Sequence, residues 1–139
     1  MSFLLDTNVV SEWVRPRPNA GVAEWLSGVD EDGVFISVVT LAELRHGIER
    51  LPPGQRRRRL DAWLRDEVSA RFAGRILPLD AATLHAWAQL SARAELDAQR
   101  LPVMDGLIMA TAQCHGLTVV TRNTADFRLY PQVFDPWQI

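Results

Sequence analysis

Short apolar runs alternate along this chain with longer stretches in which apolar positions recur every three or four residues. Phe3 to Leu5, Val34 to Val39, Ile76 to Leu79 and Leu117 to Thr121 read as strands, with Gln132 to Phe134 a short edge strand. Between them the helical spacing predicts a short helix from Val9 to Val14, ended by Pro16 and Pro18, and a helix capped by Asn19 that carries Val22, Trp25, Leu26 and Val29 on one face. A helix opened by Thr40 runs to Pro52-Pro53-Gly54. Another begins near Gln55, has an apolar stripe of Leu60, Trp63, Leu64, Val68 and Phe72, and stops at Gly74. Asp80 caps a helix with Leu84, Trp87, Ala88, Ser91 and Ala94 on one face, and a nearly all-apolar helix from Val103 to His115 ends at Gly116. Strand and helix periods taking turns imply an α/β fold with a mainly parallel sheet. No repeat, linker or low-complexity stretch interrupts the 139 residues, which suit one domain spanning 1–139.

Four acids stand where such a chain leaves a strand or enters a helix. Asp6 closes the first strand, Glu43 follows the second by one helical turn, Asp105 opens the apolar helix, and Asp126 follows the strand ending at Thr121. In open α/β sheets these turns lie at the carboxyl edge, where ligands bind near the reversal of strand order. Each acid alone has a plainer use: Asp6 as an N-cap, Glu43 in a Thr40-x-x-Glu43 capping box, Asp105 against its helix dipole, and Asp126 with Thr124 in turn chemistry. One edge holding all four favours a shared cause. Two carboxylates about 4 Å apart repel by roughly 4 kcal/mol at an effective dielectric of about 20, so such a cluster takes up protons or binds a cation, and a hard divalent metal fits best.

Composition narrows the chemistry. All fifteen basic residues are Arg, which excludes a P-loop lysine, a Schiff-base lysine and the lysine of a phosphoryl-accepting receiver site. The net charge of -2 speaks against a general nucleic-acid coat while allowing a local Arg-lined groove. The single cysteine, Cys114, falls in an apolar helix pattern and is expected to be a buried thiol in a reducing compartment. The N-terminus lacks a basic leader and no run approaches the ~20 residues of a membrane span, so a cytoplasmic protein without a membrane partner is expected. His46, His85 and His115 lack the spacing of a zinc or hydrolase site. Arg56 to Arg59 spread around a helix axis and are expected to form surface ion pairs with Asp61, Asp66 or Glu67, whereas Arg15, Arg17, Arg45 and Arg122 lie nearer the acidic edge.

These residues resemble the PIN domain, and within it the toxin nucleases of VapBC-type toxin-antitoxin pairs. Asp6-Thr7-Asn8 after the first strand looks like the family's opening motif. Thr40-Leu41-Ala42-Glu43-Leu44-Arg45-His46-Gly47 is similar to its second, Asp105-Gly106-Leu107-Ile108-Met109-Ala110 to its third, and Thr121-Arg122-Asn123-Thr124-Ala125-Asp126 to its fourth. The ending Asp135-Pro136-Trp137 resembles the tail of one subgroup, while Gln99-Arg100 departs from the Gly-Arg pair expected before the third motif. The resemblance covers nearly the whole chain. It implies a three-layer α/β/α sandwich with a five-stranded, mainly parallel sheet, and an endoribonuclease dependent on one or two Mg²⁺ or Mn²⁺ ions. Asp6, Glu43 and Asp105 would be the first metal ligands, with Asp126 at a second metal or a coordinated water. Thr7, Asn8, Arg45, Thr121, Arg122 and Asn123 would steady those ligands or contact RNA phosphates. The resemblance further implies a homodimer held inactive by a cognate antitoxin.

Two other readings compete. An aspartyl-phosphate phosphatase would use Asp6 as nucleophile, but such sites want a second acid two residues on, where Asn8 stands, and a lysine for the phosphate. A PIN-like interaction module without activity would not need the full acidic set.

Overall fold

The computed structural model describes all 139 residues. Its sheet has five strands in the order β3-β2-β1-β4-β5: β1 (Phe3–Leu5), β2 (Val34–Ser37), β3 (Ile76–Leu77), β4 (Thr118–Val120) and β5 (Val133–Phe134). Every pairing is parallel, with Phe3 beside Val34 on one flank and beside Thr118 on the other. The chain starts in the middle of the sheet and builds outward first through β2 and β3, then on the opposite side through β4 and β5. Strand order therefore reverses between β1 and β4, which puts the ligand crevice beyond the ends of those two strands.

Alternation along the strands sends successive side chains into two different cores. Leu5, Ile36 and Val120 face one, shared with Val9 and Val10 of α1 (Thr7–Trp13), Val22 of α2 (Ala20–Gly28), and Leu44 and Ile48 of α3 (Val38–Glu49). Trp63, Leu64, Val68 and Phe72 complete it. They lie at and beyond the end of α4 (Gln55–Ala62), which continues through a π-helical stretch, Trp63–Val68, into the last turn α5 (Ser69–Arg71). Leu4 and Val119 face the other core, with Ile108, Met109 and Ala112 of α7 (Val103–His115), which packs against α6 (Ala81–Leu96). Helices thus cover both faces of the sheet, the expected three layers. No helix is long and apolar enough to cross a membrane.

The structure corrects several boundaries. The Val38-Val39 pair, β-branched and read as strand, is already helical. Ser37 Oγ accepts from the Val39 amide at 3.0 Å and caps α3, so Thr40 lies inside the helix, fully buried, and there is no capping box with Glu43. On α6 the buried positions are Thr83, Ala86 and Ala94, whereas Leu84 is 43% exposed and Ala88 is also exposed. Trp87 of the expected face does pack against α7, which comes so close at Gly106 that a Cβ there would stand 3.1 Å from the indole ring. Cys114 is exposed, because the buried stripe of α7 ends at Ala112.

The loop from α6 to Asp105 has its own device. Ala98 lies in the left-handed region (φ 54°), the Gln99 amide donates to the Ala94 carbonyl at 2.8 Å, and the Ala98 amide donates to that of Glu95 at 3.1 Å. This is a Schellman helix end with Ala where Gly is usual. Relief of the Cβ clash, ~1–2 kcal/mol, outweighs the ~0.5–1 kcal/mol of added chain entropy, so Ala98→Gly is expected to stabilise the protein by about 0.5–1 kcal/mol. A thermal midpoint raised by about 2 °C is the expected reading; an unchanged or lower midpoint would show that the loop carries no strain.

Candidate functional site

Asp6 stands at the end of β1, directly beside the end of β4. Its Oδ1 accepts from the Thr7 amide at 2.8 Å, so it does cap α1, while Oδ2 accepts from the Thr121 hydroxyl at 2.8 Å and from Asn8 Nδ2 at 3.3 Å. Thr121, fully buried at the end of β4, also accepts from Asn8 Nδ2 at 3.2 Å and from the Asn123 amide at 3.0 Å. Asn8 Oδ1 in turn accepts from the Arg122 amide at 3.3 Å. One network thus fastens the β1–α1 turn to the turn after β4, and Asp6 is only 6% exposed at its centre. The cap and the site are one arrangement.

Glu43 projects from the second turn of α3 toward the same place. Thr7 Oγ1 donates to Glu43 Oε1 at 2.5 Å, and the Thr40 hydroxyl lies 3.4 Å from Thr7 Oγ1. Asp105, in the first turn of α7, forms the opposite wall. Asp6, Glu43 and Asp105 line one cleft of about 350 Å³, together with Asn8, Arg122 and Asn123. Asp126, in the 3-10 turn Thr124–Phe127, is exposed and lines the adjoining cleft with Arg100 and Arg128.

None of these four carboxylates has a basic side chain within ion-pair distance. At Asp6 and Asp105 the electrostatic result is a reluctance to ionise. Burial raises the Asp105 carboxyl to about 6, and the charges of Asp6, Asp126 and Glu43 add to the effect while Arg100 opposes it. Asp6 is also raised, chiefly by burial, against the hydrogen bonds from Thr121 and Thr7 that favour its anion, and the charges of Glu43 and Asp126 push the same way as burial. Asp126 thus belongs to the same field although it opens elsewhere.

The donor set is all oxygen, and no three acid, His or Cys side chains close into a preformed cage. Both facts fit a small hard cation that keeps much of its water and is held by a few carboxylates and the substrate. They suit zinc or copper, which favour nitrogen and sulfur ligands, poorly.

Other expected residues fall elsewhere. Arg45 turns away from the cleft and pairs with Asp61 at 2.6 Å and Glu49 at 3.5 Å, because α3 carries it on the side facing α4. In the Arg56 to Arg59 run, Arg57 pairs with Glu49 at 2.6 Å rather than with Asp61, Asp66 or Glu67; the Asp61 carboxylate is already shared by Arg45 and Arg65. Arg15 stays at the cleft and lies 3.6 Å from Glu12.

Two wall residues escape sequence reasoning. Glu12 reads as a solvated helix position, yet it is 5% exposed and sits between the acidic cleft and a second, apolar cavity of about 380 Å³. Trp137, singled out in the sequence only as part of a tail motif, lines the cleft with the Arg122 guanidinium over its ring. Glu12 follows Asn8 by four residues, one helical turn, and that spacing was the available signal.

Comparison with known proteins agrees with this geometry. The family model described as "PIN domain" matches residues 3–131. Toxin FitB of Neisseria gonorrhoeae is 42% identical over 136 residues, which cover 97% of this chain and 98% of that protein. VapC ribonuclease Y4jK of Sinorhizobium fredii is 36% identical over 137 residues, 98% of each chain. The crystal structure of FitAcB from Neisseria gonorrhoeae superposes with a TM-score of 0.91 at 40% identity, covering 99% of both chains. A single family model spanning four of the five strands and every motif that supplies an acid to the cleft leaves one assignment: this chain belongs to the PIN domain family.

Proposed function

We propose that this protein is a divalent-metal-dependent endoribonuclease acting in the cytoplasm as the toxin of a toxin-antitoxin pair. The observation that carries the reading is the cleft of unpaired carboxylates at the strand-order reversal, in a chain whose relatives are named as a toxin and as a VapC ribonuclease. Asp6, Glu43 and Asp105 would hold Mg²⁺ or Mn²⁺, and Asp126 would strengthen the anionic field or hold a second ion from the adjoining cleft. A cation bound there supplies Lewis acidity at the scissile phosphate and ionises the attacking water.

The chain's own residues do the positioning. Thr121 and Asn8 fix the Asp6 carboxylate, Thr7 fixes Glu43, and Gly106 lets α7 settle against Trp87 so that Asp105 faces both. Arg122 and Arg15 at the rim are placed to receive phosphate oxygens. Cleavage of a fluorogenic RNA with Mg²⁺, Mn²⁺ or EDTA tests the assignment. Turnover that EDTA abolishes and added metal restores is expected; turnover indifferent to EDTA would refute it.

A toxin of this kind needs an inhibitor in the cell that makes it. The apolar cavity, walled by Val9, Trp13, Val22, Leu26 and Phe72, shares Glu12 with the acidic cleft, so a single antitoxin segment can fill the one and reach into the other with a cationic side chain. Exposed Leu96, Val103 and Met104 at the α6–α7 end offer a surface for a second copy in a homodimer. Co-purification with the product of the neighbouring open reading frame, followed by calorimetry, is expected to show Leu26→Asp and Asp105→Asn each weakening the complex at least ~10-fold, with Arg57→Ala within twofold of wild type. A complex as tight in both variants as in wild type would move the antitoxin to another face.

A further inference from the structure

The cleft poses a binding problem. Its acids repel the very backbone that a ribonuclease must hold, so part of the affinity has to come from contacts indifferent to phosphate charge. Among the residues lining the cleft only one is apolar, and it is an indole, Trp137.

Its setting differs from that of a core tryptophan. Trp63 is 7% exposed inside the first core. Trp137 leans on that core yet keeps part of its ring accessible at the cleft. The tail that carries it is locked from behind. Asp135 Oδ1 accepts from the Trp137 amide at 2.8 Å, Pro136 is buried, and its carbonyl abuts α2 so closely that a Cβ on Gly21 would stand 2.5 Å from it. The ring is thus held in place before any ligand arrives, which lowers the ordering cost of binding.

Over the ring lies a free cation, which a base entering the stack would displace toward the phosphate. Arg122 Cζ is 5.6 Å from the Trp137 ring centroid, and no carboxylate pairs with it, whereas Arg45 and Arg57 are engaged by Asp61 and Glu49. An aromatic face next to an unpaired guanidinium, both at the edge of a metal-ligating cleft, matches what an unpaired nucleotide presents: a π-face and a phosphate.

We infer that Trp137 is the platform on which a base flanking the scissile phosphate stacks, and that Arg122 holds the neighbouring phosphate. The inference rests on the ribonuclease reading above. It makes the substrate single-stranded at that nucleotide, because a base within a duplex has no free face. It also makes recognition at this position tolerant of base identity, since every base has a π-face.

The test uses full-length protein silenced by Asp105→Asn and a labelled single-stranded oligoribonucleotide, with one abasic residue walked along the strand and affinity read by fluorescence anisotropy. One abasic position should weaken binding roughly tenfold to a hundredfold. Trp137→Ala should weaken the intact strand by a similar factor and make that abasic position silent, while Trp137→Phe keeps most of the affinity and the abasic effect. In protein with the acids intact, Trp137→Ala should raise KM for single-stranded RNA more than it lowers kcat. A merely structural tail would weaken every strand by one factor, abasic strands included, and that result overturns the inference. So does an abasic effect that persists undiminished in Trp137→Ala. If wild type cleaves RNA while either result is seen, only the stacking role falls; if wild type cleaves no RNA, the ribonuclease reading falls and takes the stacking role with it.

Discussion

Asp6→Asn, Glu43→Gln and Asp105→Asn are each expected to lower RNA cleavage by more than ~10²-fold while leaving a folded protein. Loss of an outer contact to a metal ligand typically costs about 10- to 100-fold, and these substitutions remove the ligand charge itself. The three differ in structural consequence. Asp105 has no hydrogen bond to lose, so its amide relieves repulsion without a new conflict. In Glu43→Gln the amide oxygen can still accept from Thr7 Oγ1. Asp6→Asn is less clean, because an amide NH₂ in place of Oδ2 would face the donor Asn8 Nδ2 and force the Thr121 hydroxyl to turn. The order of expected thermal stability without metal is therefore Asp105→Asn above wild type, with Asp6→Asn the lowest of the three variants. Initial rates on a fluorogenic RNA, far-UV circular dichroism and thermal midpoints give the three readings together. Wild-type rates in any two of the folded variants would sink the metal-site assignment.

The second large effect is a coupling of metal, protons and stability. In the unfolded chain Asp105 ionises near 3.8, whereas in the folded protein burial and the neighbouring acids raise it to about 6. The native state binds that proton more tightly, so its stabilising contribution is complete below about pH 3.8 and is lost as pH rises through about 6. At pH 7 the metal-free protein carries the full repulsion. Asp105→Asn should then raise the metal-free thermal midpoint at pH 7, with the advantage shrinking toward pH 4.

Metal should act in the opposite pH sense. A ligand at 100 times its dissociation constant adds about 2.7 kcal/mol when it binds only the native state, and protons compete with it for Asp105. Mn²⁺ is thus expected to raise the wild-type midpoint clearly at pH 7 and much less at pH 5, and cleavage should fall as pH drops below about 6. An equal Mn²⁺ shift in Asp105→Asn would place the metal elsewhere. A metal-free Asp105→Asn advantage that does not change between pH 7 and pH 4 would show that its carboxyl is not held against repulsion.

Much of this protein was legible from residue order alone. Short β-type runs separated by helical stripes determined the α/β class, since the two periods cannot be exchanged without turning apolar side chains into solvent. Asn19, Asp80 and Gly116 marked helix ends where the structure has them, because capping depends on one residue's own side chain or φ. Asp6 and Glu43 could be placed at one edge because parallel connectivity puts every strand-to-helix turn there, whereas Asp105 follows a loop from α6 and is brought to that edge by packing.

What tertiary structure alone decided was direction and company. Val38-Val39 turned helical because Ser37 capped α3 and Val39 entered the second core, outweighing a β-branched preference worth only tenths of a kcal/mol. Arg45 left the acidic edge because α4, across a Pro-Pro-Gly turn, brought Asp61 within 2.6 Å. The face of α6 was settled by its packing against α7, where Gly106, nineteen residues past Trp87, meets that ring. Glu12 and Trp137 reached the cleft through α1 and the C-terminal tail, elements whose sequences give no sign of a place at the site. In each case the deciding partner lies far along the chain. A local pattern can say what a segment prefers, but only packing brings distant partners close enough for their charge, volume or hydrogen bonds to choose among those preferences.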